Sequence, residues 1–158
     1  MSGPMMPTAQ SLNRLAIQAT THCLTGCAIG EVLGMVIATA LGWAALASIA
    51  LAVVLAFFFG YALTIRPLLA SGMRLARAAR LAFAADTLSI AVMEITDNAI
   101  LLAIPSAMDA HLVDPLFWGS LAVSLAIAGV VAFPVNRWLI GRGQGHAVVH
   151  AAHGHAER

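Results

Sequence analysis

Lysine is absent from this 158-residue chain, and charge of either sign is scarce, with Asp, Glu, Lys and Arg together making up 9% of the residues. Soluble domains carry about 25% charged residues. That deficit, with 61% hydrophobic residues and a mean hydropathy of +0.90, excludes an ordinary soluble domain and predicts an integral membrane protein. The eight basic residues are all Arg, and a net charge of +1 excludes a nucleic-acid-binding surface. Only two cysteines occur, Cys23 and Cys27, both inside an apolar segment, unlike the scattered even sets of a secreted disulfide framework. The N-terminus lacks the basic start and small-residue cleavage pattern of a removable signal peptide, so residues 1–20 are expected to stay in the mature protein.

What the chain does contain is four long apolar runs. They predict an all-α polytopic membrane protein with four transmembrane helices near residues 22–43, 44–66, 81–106 and 115–139, packed as an antiparallel bundle. The connection after Trp43 is short enough to force a hairpin between the first two. From Arg66 to Arg80 there are four arginines and no acid, whereas Met108 to Asp114 holds Asp109, His111 and Asp114 but no basic residue. By the positive-inside rule the arginine-rich turn and both termini are expected to be cytoplasmic. The domain layout expected is an N-terminal cytoplasmic or interfacial segment over 1–20, a four-helix transmembrane domain over 21–141 and a His-rich cytoplasmic tail over 142–158.

The third run, Leu81 to Ala107, carries Asp86, Glu94 and Asp97 in an otherwise apolar span. A charged side chain at the centre of a membrane helix costs roughly 2.5–3.5 kcal/mol on insertion scales. At 100° per residue Asp86 and Asp97 fall near one line and Glu94 about 60° to its side, so the three acids share a face that must turn toward other helices. They are either protonated packing groups or a functional site.

The first run adds two neighbouring ridges at four-residue spacing. Cys23, Cys27 and Glu31 form one, with His22 beside it; Gly26, Gly30 and Gly34 form the other and predict close approach of a second helix, for which the third is the expected partner. Counting depth at about 1.5 Å per residue brings Glu31 and Glu94 to similar heights and Asp86 to the level of Arg66 and Asn136. Arg66 and Asn136 are therefore candidate ion-pair or relay partners for Asp86. Thiol, imidazole and carboxylate together make a transition-metal ligand set, and His22, Cys23, Cys27, Glu31, Glu94 and Asp97 are the candidate ligands. Thiols favour Cu(I); the oxygen cluster suits a harder divalent ion or a relay of protons. In the tail, His146, His150, His153 and His155 form a second candidate metal-binding group.

The stretches THCLTGCAIGEVLG, MEITDNAILLAIP and PVNRWLIGRGQGHAVVH resemble a bacterial membrane-protein family, the domain of unknown function numbered 4396, over nearly all of His22 to His150. The resemblance implies a small multi-span protein of the bacterial inner membrane associated with copper or heavy-metal handling; it supplies no catalytic residues. The reading expected from the residues is a membrane protein that binds a transition metal, copper first, and takes part in its transport or delivery, alone, as a homo-oligomer or within a larger complex. Two rivals stand beside it: a non-catalytic accessory subunit of a larger membrane complex, and an oxidoreductase using the cysteines with a quinone or with haem.

Overall fold

The computed structural model describes residues 9–142, so the expected tail site at His146, His150, His153 and His155 lies outside the described residues. Within them the chain is helical and contains no strand: α1 is Ala9–Leu41, α2 Ala45–Ala70, α3 Leu75–Ala103 and α4 Pro115–Gly141, with a short 3-10 turn at Ala107–Asp109. Three of these helices, α1, α2 and α4, are long and apolar enough to cross a membrane. Arg77, Arg80, Asp86, Glu94 and Asp97 lie along α3 and set it apart in composition.

The helix ends explain the hairpins. α1 stops where Gly42 turns left-handed (φ 64°), letting the Trp43 N–H reach back to the Ala38 carbonyl at 2.9 Å and the Gly42 N–H to that of Thr39 at 3.2 Å. α2 repeats the device: with Gly72 at φ 85°, Met73 donates to Leu68 at 3.1 Å and Gly72 to Leu69 at 2.9 Å. Both are Schellman closures, in which the residue after the helix takes a conformation that glycine adopts without a Cβ penalty. Turns of three and four residues then force α1, α2 and α3 to run alternately up and down.

The observed boundaries differ from the expected ones at three ends. α1 begins at Ala9, and its 33 residues are about 50 Å long, well beyond the roughly 30 Å of a bilayer core. No proline or glycine interrupts its first turns, and they have a partner: Ala16 and Ala19 pack with Ile140 of α4. The Asn136 amide also donates to Thr20 at 3.0 Å and the Arg137 guanidinium to Asn13 at 2.7 Å. α2 continues past Pro67 to Ala70, because Leu68 is fully buried against Ala78 and Ala85 of α3 and Ser71 and Met73 bond back onto the last turn. α3 starts at Leu75, ahead of Leu81, since Ala78 and Ala82 are fully buried and draw the arginine-bearing turns into the helix.

Consecutive helices are neighbours, α4 closes back onto α1, and α1 also meets α3 across the middle of the bundle. The closest approach is between α1 and α2. A Cβ built on Gly26 would lie 2.8 Å from the Cα of Gly60, one on Gly30 2.6 Å from that of Ala56, and one on Gly34 2.8 Å from that of Ala52. The glycine ridge therefore packs on the second helix, which corrects the expected third, because α2 carries its own small ridge at the same spacing, Ala52, Ala56 and Gly60. With α1 held this near to α2, the adjacent cysteine ridge is left facing α3.

Candidate functional site at the crossing of α1 and α3

The acids carried by the long helices are inside, and many of the bundle's large apolar side chains are outside. Asp86 is 0% exposed, Asp97 1%, Glu94 4% and Glu31 8%, while on α3 itself Phe83, Leu88, Ile95 and Leu102 are exposed. On a soluble protein that distribution would be inverted.

The buried groups follow one another along the seam between α1 and α3. Cys23 lies against Asp86 and Ser89, Cys27 against Glu94, and Glu31 against Asp97, with Glu94 close to the last pair. The regularity comes from two helices running in the same direction: α1 residues four apart meet α3 residues at a nearly constant offset. Glu31 and Asp97 face one another closely enough to interact, yet none of their four carboxylate oxygens makes a hydrogen bond of ordinary geometry, and neither does Oε1 of Glu94. The other Glu94 oxygen is 3.5 Å from the Asn98 amide, which also donates to the Glu94 backbone carbonyl at 2.9 Å. Buried polar atoms left in that state are rare in native proteins, and each calls for a proton, a water or an ion.

Toward the N-terminal end of α1 the seam leads to a hydrogen-bonded cluster. His22 Nε2 and the Thr64 hydroxyl are 2.8 Å apart, and Thr64 also adjoins the Asp86 carboxyl. Thr64 was not among the expected site residues, nor were Ser89 and Asn98. The signal for Thr64 was its place one step beyond Gly60 on the small-residue ridge of α2, opposite His22. Arg66, two residues on, is exposed, while Asp86 is buried; Asn136 is buried and donates to Thr20. Both cysteines are free thiols in the core cluster with Ile90, Met93, Ala128 and Ala132.

As the side chains stand, among the described residues no three His, Cys, Asp or Glu groups surround a common point suited to a metal ion; the donors are arranged in pairs along the seam.

The family model for the domain of unknown function DUF4396 matches residues 12–145, which takes in α2, α3, α4, all of α1 but its first three residues, and every seam residue. The chain belongs to that family. Comparison with curated proteins and with solved structures gives no match. The DUF4396 segment begins inside α1 and ends just past α4, so the family unit coincides with the bundle.

Proposed function

We propose that this DUF4396 protein is a four-span protein of the bacterial inner membrane that binds a transition-metal ion, copper first, in the seam between α1 and α3 and takes part in its transport or delivery. The observation that carries this reading is the set of buried, unsatisfied carboxylate oxygens on Glu31, Glu94 and Asp97, of which those of Glu94 and Glu31 neighbour the Cys27 thiol and those of Asp97 adjoin Glu31 and Glu94. In hydrocarbon such groups need compensation, and a cation supplies it while the thiols select a soft one. Cys27 with Glu94 offers one soft and one hard donor side by side; Cys23 extends the soft side, His22 stands at the end of the seam, and Glu31 with Asp97 neutralises charge. The pairwise arrangement means that side chains rotate to gather around the ion. The same carboxyls are suited to carry protons in exchange.

Counting α3 as a fourth span is supported by where its residues point: its acids face the bundle, and Phe83, Leu88, Ile95 and Leu102 offer an apolar outer face to lipid. The arginines of the α2–α3 turn and of the end of α4 support cytoplasmic termini.

The test compares purified wild-type and Glu94→Gln protein for copper bound after Cu(I) exposure and for melting temperature in detergent. Glu94→Gln keeps the shape and removes the charge, so bound copper is expected to fall several-fold with little change in melting. Equal copper in the two forms, or none in the wild type, overturns the reading.

A further inference from the structure

The seam ends in a cavity. Glu31 borders a half-open, mainly apolar chamber of about 60 Å³ whose few polar groups include Ser48, Asn98 and Ser120, with Met35 beside them, where α1, α2, α3 and α4 come together. A single water needs roughly 10–15 Å³ by this measure, so the chamber admits more than one water or a partly hydrated ion. Outside it, between the Gly42 turn and the 3-10 turn after α3, lies an open vestibule of about 500 Å³. Met35, Ser48 and Met108 line both spaces, and Asp109 and His111 line the outer one.

Glu31 is the second, independent observation. It is more than nine-tenths buried, it borders the chamber, and both of its carboxylate oxygens lack a hydrogen-bond partner. The serines at the chamber wall do not serve it: Ser48 donates to the Ala44 carbonyl at 3.1 Å and Ser120 to those of Leu116 and Phe117 at 2.7 and 3.0 Å. Their donors are spent on their own helices, which leaves hydroxyl lone pairs as the polar surface they can offer, suited to a cation and unsuited to an anion.

We infer that this vestibule and chamber form the access route by which a soft metal cation reaches the seam, entering from the side of the α1–α2 and α3–α4 connections, passing the thioethers of Met35 and Met108 and arriving at Glu31. The acid and imidazole at the mouth, Asp109 and His111, attract the cation; the thioethers of Met35 and Met108, residues common to the walls of both spaces, hold a soft ion weakly enough to release it; the carboxylate behind them receives it. This rests on the metal-binding reading for the identity of the cargo, while the route itself is tested without any metal.

For the route, Ser120→Cys is placed in a Cys23→Ser, Cys27→Ser background and exposed in sealed vesicles to a positively charged methanethiosulfonate. Modification is expected only from the side carrying Asp109 and His111, and it is expected to slow strongly when Ser48→Phe or, as a second plug in the loop, Met108→Trp is added to a protein that still elutes and melts like its parent. Modification from the opposite side, or at an unchanged rate behind both plugs, overturns the route even if copper binds. For the cargo, Met35→Leu combined with Met108→Leu conserves volume and removes both sulfurs. The rate of Cu(I) loading of the otherwise native chain is expected to fall several-fold with the copper held at equilibrium unchanged. An unchanged loading rate removes the thioether step; a wild type that takes up no Cu(I) defeats the metal-binding reading, and the labelling result still stands or falls by itself.

Discussion

Thr64 illustrates how much one hydroxyl can hold in an apolar bundle. Most threonines in these helices satisfy themselves on the carbonyl four residues back: Thr21, Thr25, Thr87 and Thr96 do so at 2.6–2.9 Å. That habit makes a threonine in a membrane helix uninformative when read by residue type. Thr64 instead bonds the His22 ring from 42 residues away and adjoins Asp86, joining α2 to both halves of the seam. Removing the hydroxyl leaves an imidazole nitrogen facing a methyl group. Thr64→Val is therefore expected to destabilise the protein by about 1–3 kcal/mol, the usual cost of leaving a buried polar group unsatisfied, and Thr64→Ser to restore most of it. Unfolding of the three forms in mixed detergent measures this, and equal stabilities for Val and wild type would show that the bond carries nothing.

At the scale of helices, the α1–α2 contact is set by matched ridges. His22 meets Thr64, Gly26 meets Gly60, Gly30 meets Ala56 and Gly34 meets Ala52, one antiparallel register maintained over four steps. The glycines of α1 announced a close approach in the sequence, yet the spacing of one ridge does not name its partner. That information lay in α2, whose small residues recur at the same interval, and in a connecting turn too short to let any other helix come first. Apolar length made the helices legible and left their ends uncertain, because Pro67 and the arginines near α3 read as stops while packing by Leu68 and Ala78 overrides them. The carboxylates of the seam were legible since lipid excludes them from the outer face; Ser89, Asn98 and the methionines of the chamber were hidden because such residues are common in apolar helices. Two glycines test the ridge. In a helix Gly→Ala gains up to about 1 kcal/mol from propensity, and a backbone collision of the kind Gly30 would meet costs of order 1–3 kcal/mol. Gly30→Ala is thus expected to lower stability, whereas Gly119→Ala on α4, where an added Cβ meets nothing within 4 Å, is expected to raise it. The two melting shifts should have opposite signs, and a shared sign would refute the α1–α2 ridge assignment.

The whole molecule is arranged as an apolar exterior around a polar seam, with its charge divided between two ends. Arg66, Arg74, Arg77 and Arg80 lie around the α2–α3 turn, and Arg137 and Arg142 lie at the end of α4, where the Arg142 guanidinium sits 4.4 Å from the centre of the Trp138 ring. Asp109 and Asp114 occupy the connection between α3 and α4, where Asp114 accepts from the His111 backbone N–H at 2.8 Å. An alternating bundle puts the α2–α3 turn and the end of α4 on one side and the α1–α2 and α3–α4 connections on the other, so all six of these arginines gather at one end. Arginine bias in short connections orients membrane proteins, and the proposed orientation accordingly puts the arginine end in the cytoplasm and the vestibule on the opposite face. A single cysteine at Ala76, an exposed position in the first turn of α3, reports this directly, since Cys23 and Cys27 are each 1% exposed and can be replaced by serine as a control. In intact cells Ala76→Cys is expected to resist a membrane-impermeant maleimide and to react once the inner membrane is opened; Val113→Cys, at a fully exposed loop position, is expected to react in intact cells once the outer membrane is made permeable. Labelling in the reverse pattern would turn the bundle over and make the vestibule a cytoplasmic mouth. Labelling of both positions from one side would mean that α3, the one long helix between them, does not cross.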